Sequence, residues 1–404
     1  MTTAGRSASA DIGSLSWMKR GAVCVVLIAV WICAWNTAAI SEAAPIVLQG
    51  RIIDGTGEAP IDAGAVVIVG DRIVSVGAQE DVTIPDGAVV FDLGTATILP
   101  GIIDTHVHQA YSERNLSRWA QAGVTTVRDL GADATWDWDT LRDELAGDLT
   151  LASLCISGPF LTVPNGYTTD HPLGCALPVG SPAEARSATT RLIQQGVDCI
   201  KLGIESTYGI RVGMDVMSLA VAEAIVDAAH QRNVPVVAHA MDYADIAVAI
   251  EAGVDQLAHI VVGTMPLQAI HTVVDRGIIW IPTLGVLHSG SSNLRRFFEF
   301  GGTVALGTDD GAMGRPKCVM PIEEFRRMIR SGMDPMSVIV ASTRNAALAC
   351  GIADLVGTLE VGKRADVLAV EGNPLESLDA LADALLVMHS GVMIRDERAV
   401  AGDD

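Results

Sequence analysis

Two histidines one residue apart, His106 and His108, close the apolar stretch LPGIIDTHVH that begins at Leu99. Alternate residues of a strand share a face, so this pair can aim two imidazoles at one point, which is half of a metal site. Further along, single polar residues end or interrupt other strand-like apolar runs: Lys201 in DCIKLG, His239 in PVVAHA, His259 in DQLAHI and Asp309 in TVALGTDD. Neutral imidazole and carboxylate suit Zn²⁺ or a similar divalent ion. A lysine ammonium, ordinarily with a pKa of about 10.4, is no ligand as it stands. Lys201 could be a solvated lysine or a Schiff-base nucleophile, but a surface lysine rarely belongs to a buried parallel strand.

The elements that must position these residues follow a repeating order. From residue 99 onward, apolar strands are expected near 99–108, 127, 156, 200, 237, 257, 280 and 306, separated by helical stretches such as PAEARSATTRLIQQG, VMSLAVAEAIVDAAHQRN and YADIAVAIEAG. Eight strands alternating with helices predict an α/β fold, a (β/α)8 TIM-type barrel, in which active sites gather at the C-terminal ends of the strands. Residues 46–91 instead alternate short β-branched runs with turn signals, Gly70-Asp71 marking a hairpin. The C-terminal stretch from 356 returns to β-rich sequence. Residues 45–98 and 356–404 are therefore expected to pair as one small β-sandwich flanking a barrel over 99–355.

Length and composition agree with a large packed enzyme: 404 residues, half of them hydrophobic, with 40 glycines. The net charge of -21 excludes a nucleic-acid partner, because phosphate-backbone binding needs clustered Lys and Arg. Lys19 and Arg20 precede an uncharged apolar run over 21–40 and then Ser41-Glu42-Ala43, so residues 1–44 are expected to be an export signal or a membrane anchor, giving a periplasmic, secreted or membrane-tethered protein. Cys24 and Cys33 lie in that segment. The five remaining cysteines form no disulfide framework and no CxxC pair, and Cys155 with Cys175 is the pair worth testing for a bridge.

Taken together, ILPGIIDTHVH, AGVTTVRDLG, CIKLGIE, VVAHA, QLAHI, ALGTDDG and the closing VGKRADVLAVEGNPL resemble the amidohydrolase superfamily, over essentially residue 46 to the C-terminus. Within it, the chain is similar to the imidazolonepropionase-related and metal-dependent Xaa-Pro dipeptidase group. That resemblance implies two divalent metal ions, zinc or similar, bridged by a CO2-derived carbamate on Lys201. His106, His108 and Asp309 would bind the more buried ion, His239 and His259 the other, and Lys201 both. A pair of ions roughly 3.5 to 4 Å apart would hold a bridging hydroxide and polarise a carbonyl, with Asp309 shuttling the proton to the leaving amine.

The expected activity is hydrolysis of an amide, in a peptide or a cyclic amide, of a small-molecule or small-peptide substrate. An ester or lactone hydrolase at the same site, a mononuclear deaminase and a non-catalytic exported binding protein are the alternatives. The long segment SGPFLTVPNGYTTDHPLGC after the third strand makes Tyr167 and His171 candidates for substrate contact or oxyanion stabilisation. Tyr243, following the His239 strand, is a similar candidate. Asp104 and Asp129 are expected to orient ligands or cap loops. His230, His271, His288 and His389 have no partner motif. A homo-oligomer is the ordinary expectation for a barrel enzyme.

Overall fold

A computed structural model describes residues 44–206, 213–286 and 291–398. The expected N-terminal signal or anchor, with Cys24 and Cys33, lies outside the described residues, as does His288. Among the described residues, no helix is long and apolar enough to cross a membrane.

The β-rich start forms β1 (Ile46–Ile52), β2 (Ile61–Val69), β3 (Arg72–Ala78) and β4 (Val89–Pro100). The hairpin is where it was expected: Val69 pairs with Arg72 across Gly70-Asp71, and Gly70 has a φ of +59°, the left-handed geometry that a tight two-residue turn requires. Next come β5 (Ile102–Val107), β6 (Val124–Asp129), β7 (Ser153–Ile156), β8 (Phe160–Thr162), β9 (Ala176–Pro178), β10 (Ile200–Gly203), β11 (Val236–His239), β12 (Gln256–Ala258) and β13 (Ile279–Ile281). The chain ends with β14 (Val367–Val370), β15 (Ala384–His389) and β16 (Val392–Asp396).

The two ends of the chain do pair. All seven terminal strands share one hydrogen-bonded sheet in the order β16-β15-β14-β4-β1-β2-β3, and Ile98 of β4 lies opposite Ala369 of β14. Strand alternation then divides the side chains between two cores. Ile98, Val367 and Ala369 pack with Leu48, Ile52 and Met388 in the sheet's own core. Leu99 and Leu368, one residue along, join the large core of the central strands.

The central strands are parallel and fall into two sheets, β5-β6-β7 and β13-β12-β11-β10-β8-β9. β5, β6 and β11 are buried along their whole length, as parallel strands covered on both faces are. Hydrogen bonds connect the sheets at both ends. Asp198 and Cys199, just before β10, donate their backbone N–H groups to Ile156 O of β7 at 2.8 and 3.3 Å. On the other side, residues 303–310 bridge β13 to β5: Trp280 N donates to Thr303 O at 3.0 Å, and Thr105 N donates to Leu306 O at 3.0 Å.

Three expectations change. The eighth strand, near 306, is an irregular segment with isolated bridges at Val304 and Asp310, because Gly307 and the left-handed Asp309 (φ +61°) break a regular ladder. The segment after β7 is not wholly loop but carries β8 and β9, entered past Gly158 (φ +65°) and Pro159. The cysteine expectation also fails: Cys155 and Cys175 are free and buried. Cys155 packs instead in a cluster with Cys350, Ala346 and Ile103, whereas Cys175 lies on a cavity wall.

One buried cation ties the central body together. Arg128 of β6 is fully buried and donates from Nε to Thr105 O (2.8 Å), from Nη1 to Ala349 O (2.7 Å) and from Nη2 to Gln256 Oε1 (2.8 Å). It therefore straps β5 and β12 to the helix Arg344–Ala349. Only the planar guanidinium fork reaches three acceptors at once. Arg128→Lys, which keeps the charge and orphans buried acceptors, is expected to lower unfolding free energy by roughly 3 kcal/mol, read by chemical denaturation.

Candidate active site

The six ligand-type residues expected from sequence converge at one cavity of about 690 Å³. His106 belongs to β5 and His108 follows it, Lys201 lies in β10, His239 ends β11, His259 follows β12, and Asp309 belongs to the 303–310 segment. All six line the cavity floor.

Asp309 is the hub. Its Oδ1 lies 3.1 Å from His106 Nε2 and 2.9 Å from His108 Nε2. Desolvation alone would raise its carboxyl, but the charge and hydrogen bond of His106, the bond from His108 and the charge of His259 hold it well below the usual carboxylate range. Ligand-type atoms of His106, His259 and Asp309 all lie within 4.8 Å of one another. The His106 and His259 rings are tilted at 54° with centroids 4.9 Å apart, and His239 packs edge to face with His259 at 4.4 Å. Burial, then the neighbouring His239, drives the His259 ring well below its ordinary pKa, and burial first, then Lys201, takes His106 down to about 3. Neutral rings are what metal ligation requires.

Lys201 is the most exceptional of the set. It is completely buried, and its Nζ has no hydrogen-bond partner among the described residues. Nζ sits 5.6 Å from the Phe160 ring centroid, and burial lowers its pKa to about 7. Gly203, two residues on, makes room for that ring: a Cβ there would meet Phe160 Cε1 at 2.3 Å.

Several groups hold these side chains in place. Asp104, one strand pleat before His106, accepts from Thr308 Oγ1 (2.6 Å), Thr308 N (3.1 Å) and His106 N (3.2 Å), which fixes the 303–310 segment against β5. Asp129 accepts from Ala110 N and Gly131 N at 2.9 Å each, shaping the loop that follows His108. Both thus play the orienting and capping parts expected of them. Sequence reasoning missed two more. Thr283 Oγ1 lies 2.8 Å from His259 Nδ1, and Glu205 Oε2 lies 3.2 Å from His239 Nε2. Glu205 left one readable trace, an acidic residue in the CIKLGIE run just past the end of β10 at Gly203. Thr283 left none, since its strand has already ended at Ile281.

The backbone at the ligands is unusual. His259 (φ +72°), Thr283 (φ +44°) and Asp309 (φ +61°) all adopt left-handed conformations, which cost of order 1–3 kcal/mol each for non-glycine residues and cluster at functional sites.

Above the floor, Tyr167 stacks on His239 with centroids 4.0 Å apart and an interplanar angle of 21°. His171 also lines the cavity, its Nδ1 accepting from Leu173 N at 3.3 Å. The third candidate, Tyr243, is elsewhere: it opens the helix Tyr243–Ala252, is exposed and is not among the lining residues. Asp242 caps that helix through Ala244 N, so its spacing from His239 serves the helix start. Phe160, Leu173, Met214, Met241, Val286 and Met313 make the upper walls apolar. Gln109 Nε2 donates to Gly311 O and Gly314 O, both at 2.6 Å, tying the loop after Asp309 to β5.

The sequence profile of the amidohydrolase family matches residues 97–394. The chain is 27% identical over 361 residues to an imidazolonepropionase of Symbiobacterium thermophilum, covering 77% of this chain and 84% of that protein. It is 26% identical over 416 residues to the ochratoxinase of Aspergillus niger, covering 85% and 84%. Its fold is similar to the crystal structure of a Xaa-Pro dipeptidase with methionine bound in the active site, with a TM-score of 0.74 and 24% identity over 87% of this chain and 99% of that one.

Gly307 is the position where site geometry is most sensitive to a single methyl. A Cβ there would meet Ile281 Cγ2 at 2.3 Å and His106 Cβ at 2.8 Å. Gly307→Ala is expected to cost about 1–3 kcal/mol of stability by overpacking and to lower the amount of divalent metal retained per chain, measured by elemental analysis after gel filtration.

Proposed function

The chain belongs to the amidohydrolase family and is a hydrolase acting on carbon–nitrogen bonds; we propose that it cleaves an amide, in a small peptide, an N-acyl amino acid or a cyclic amide, at the cavity floor between Lys201 and Asp309, with two divalent ions as cofactors. We read the linked parallel sheets as a (β/α)8 barrel whose eighth strand is the 303–310 segment, and the seven-stranded terminal sheet as the flanking sandwich.

The observation that carries this reading is the Lys201 ammonium, fully buried and without a hydrogen-bond partner amid imidazoles and a carboxylate. A buried unpaired cation is costly. Addition of CO2 to neutral Nζ, with loss of one proton, turns it into a two-oxygen anion suited to two cations. The donor set fits zinc or a similar ion: burial favours the neutral ring at His106, His239 and His259, and Asp309 supplies an ionised carboxylate. His106, His108 and Asp309 would hold one ion, His239 and His259 the other, and the Lys201 carbamate both. When bound, such ions activate water at neutral pH and polarise a carbonyl.

The protein's own groups do the rest. Asp309 Oδ1 is engaged by two imidazoles, which leaves Oδ2 to take a proton from the attacking water and return it to the leaving amine. Burial, with the charges of Asp309 and Glu205, keeps the Tyr167 phenol well above its ordinary range. It therefore remains a hydrogen-bond donor, placed beside His239 where charge develops on the carbonyl oxygen. His171 contacts substrate from the same wall, and the apolar upper cavity accepts the side chains flanking the amide.

The test is metal content and turnover of the Lys201→Ala variant beside wild type, purified with zinc and bicarbonate and offered Xaa-Pro dipeptides, N-acyl amino acids and aryl esters. Wild type is expected to hold about two ions per chain and to turn over amides. Lys201→Ala should lose metal and more activity than the ~10–100-fold typical of removing a group outside the ligand set, with partial rescue by short-chain carboxylic acids. Full activity in Lys201→Ala overturns the reading.

A further inference from the structure

We propose that Glu205 is a positioning residue of this centre: its carboxylate holds the Nε2–H of His239, so that His239 offers Nδ1, not Nε2, to the ion it shares with His259. The inference rests on the two-ion reading above and goes beyond its ligand set.

A neutral imidazole has one N–H and one lone pair. A ligating ring must therefore carry its proton on the nitrogen that faces away from the ion, and that proton needs an acceptor. Three of the four histidines turn Nε2 toward the floor. His106 and His108 direct Nε2 at Asp309 Oδ1, and His259 has its Nδ1 beside Thr283 Oγ1, which leaves Nε2 toward the floor.

His239 is the reverse case. Its Nε2 lies 3.2 Å from Glu205 Oε2, while no hydrogen bond to its Nδ1 occurs among the described residues. A carboxylate oxygen at that distance accepts from the ring N–H. Glu205 thereby selects the Nε2–H tautomer and leaves the Nδ1 lone pair free. The ring plane is fixed independently by Tyr167, stacked on it at 4.0 Å.

Placement excludes a role for Glu205 at the substrate. It is 1% exposed and does not line the cavity, although His239 does. It also has a counterpart at no other ring: Nδ1 of His106 and of His108 has no partner, and His259 meets a hydroxyl. A carboxylate partner raises the basicity of a ligating imidazole. The ion at His239 is thus the one whose affinity depends on this group.

The experiment is an equilibrium zinc titration of the full chain, stripped and then supplied with bicarbonate, for wild type, Glu205→Gln and Glu205→Asp, with thermal melting of each metal-free protein. Glu205→Gln is expected to weaken one of the two ions by about 10–100-fold while leaving the other ion and the metal-free melting temperature near wild type. Glu205→Asp, which keeps the charge, should recover part of the loss. Unchanged affinity for both ions in Glu205→Gln overturns the proposal, as does equal weakening of both ions together with a lowered melting temperature, the mark of a merely structural role. A zinc-loaded crystal structure with Nε2 of His239 on the ion overturns it as well. If wild type binds fewer than two ions, the two-ion reading has failed by itself. The proposal is then upheld if Glu205→Gln weakens the remaining ion and overturned if it does not.

Discussion

Everything in this structure answers to the burial of charge. Lys201, Arg128, Asp104, Asp129 and Glu205 are all removed from water inside one parallel-stranded body, with the three histidines His106, His239 and His259 among them and the Asp309 side chain only 8% exposed. Each such group would cost several kcal/mol if left alone. Arg128 meets that cost with three neutral oxygens and in doing so binds distant segments together. Asp104 and Asp129 meet it with backbone N–H groups and, for Asp104, a threonine hydroxyl. The site residues have no such complete solution within the chain: Lys201 Nζ and two imidazole nitrogens stay unsatisfied. That residual deficit separates a site from a core.

The fold places these groups by breaking its own regularity where they sit. A ladder of parallel strands would turn alternate side chains inward with little freedom of aim. Left-handed residues at His259, Thr283 and Asp309, and Gly307 packed against His106 Cβ, redirect the chain at the strand ends. The strain stored there is held by short hydrogen bonds, such as Thr308 Oγ1 to Asp104 and Gln109 to Gly311 and Gly314. The seven-stranded terminal sheet contributes from a distance, because alternation along β4 and β14 sends Leu99 and Leu368 into the central core while Ile98 and Ala369 hold the sheet.

The cavity walls belong to the less regular parts. The segment between β7 and β10 brings Tyr167 and His171 over the floor, and the loop after Asp309 contributes Met313. A polar floor beneath apolar walls is the form expected of a pocket that fixes one reactive bond and adapts to what flanks it.

The sequence by itself determined the order of the central strands, the Gly70-Asp71 hairpin, the joining of the two chain ends and six inward polar residues from His106 to Asp309. These are local matters: strand period, turn chemistry and a polar residue interrupting an apolar run can all be read within a dozen residues. Tertiary structure alone decided the rest. The irregular course of 303–310 depends on close contact between Gly307 and a strand two hundred residues earlier. The pairing of His239 with Glu205 and of His259 with Thr283 depends on which strands become neighbours, and Tyr243 left the site because Asp242 caps a helix that carries it away. Cys155 met Cys350 and not Cys175 because burial, rather than sequence distance, brought them together. Hydrogen-bond partners and ring orientation are set across strands, and no pattern along the chain encodes them.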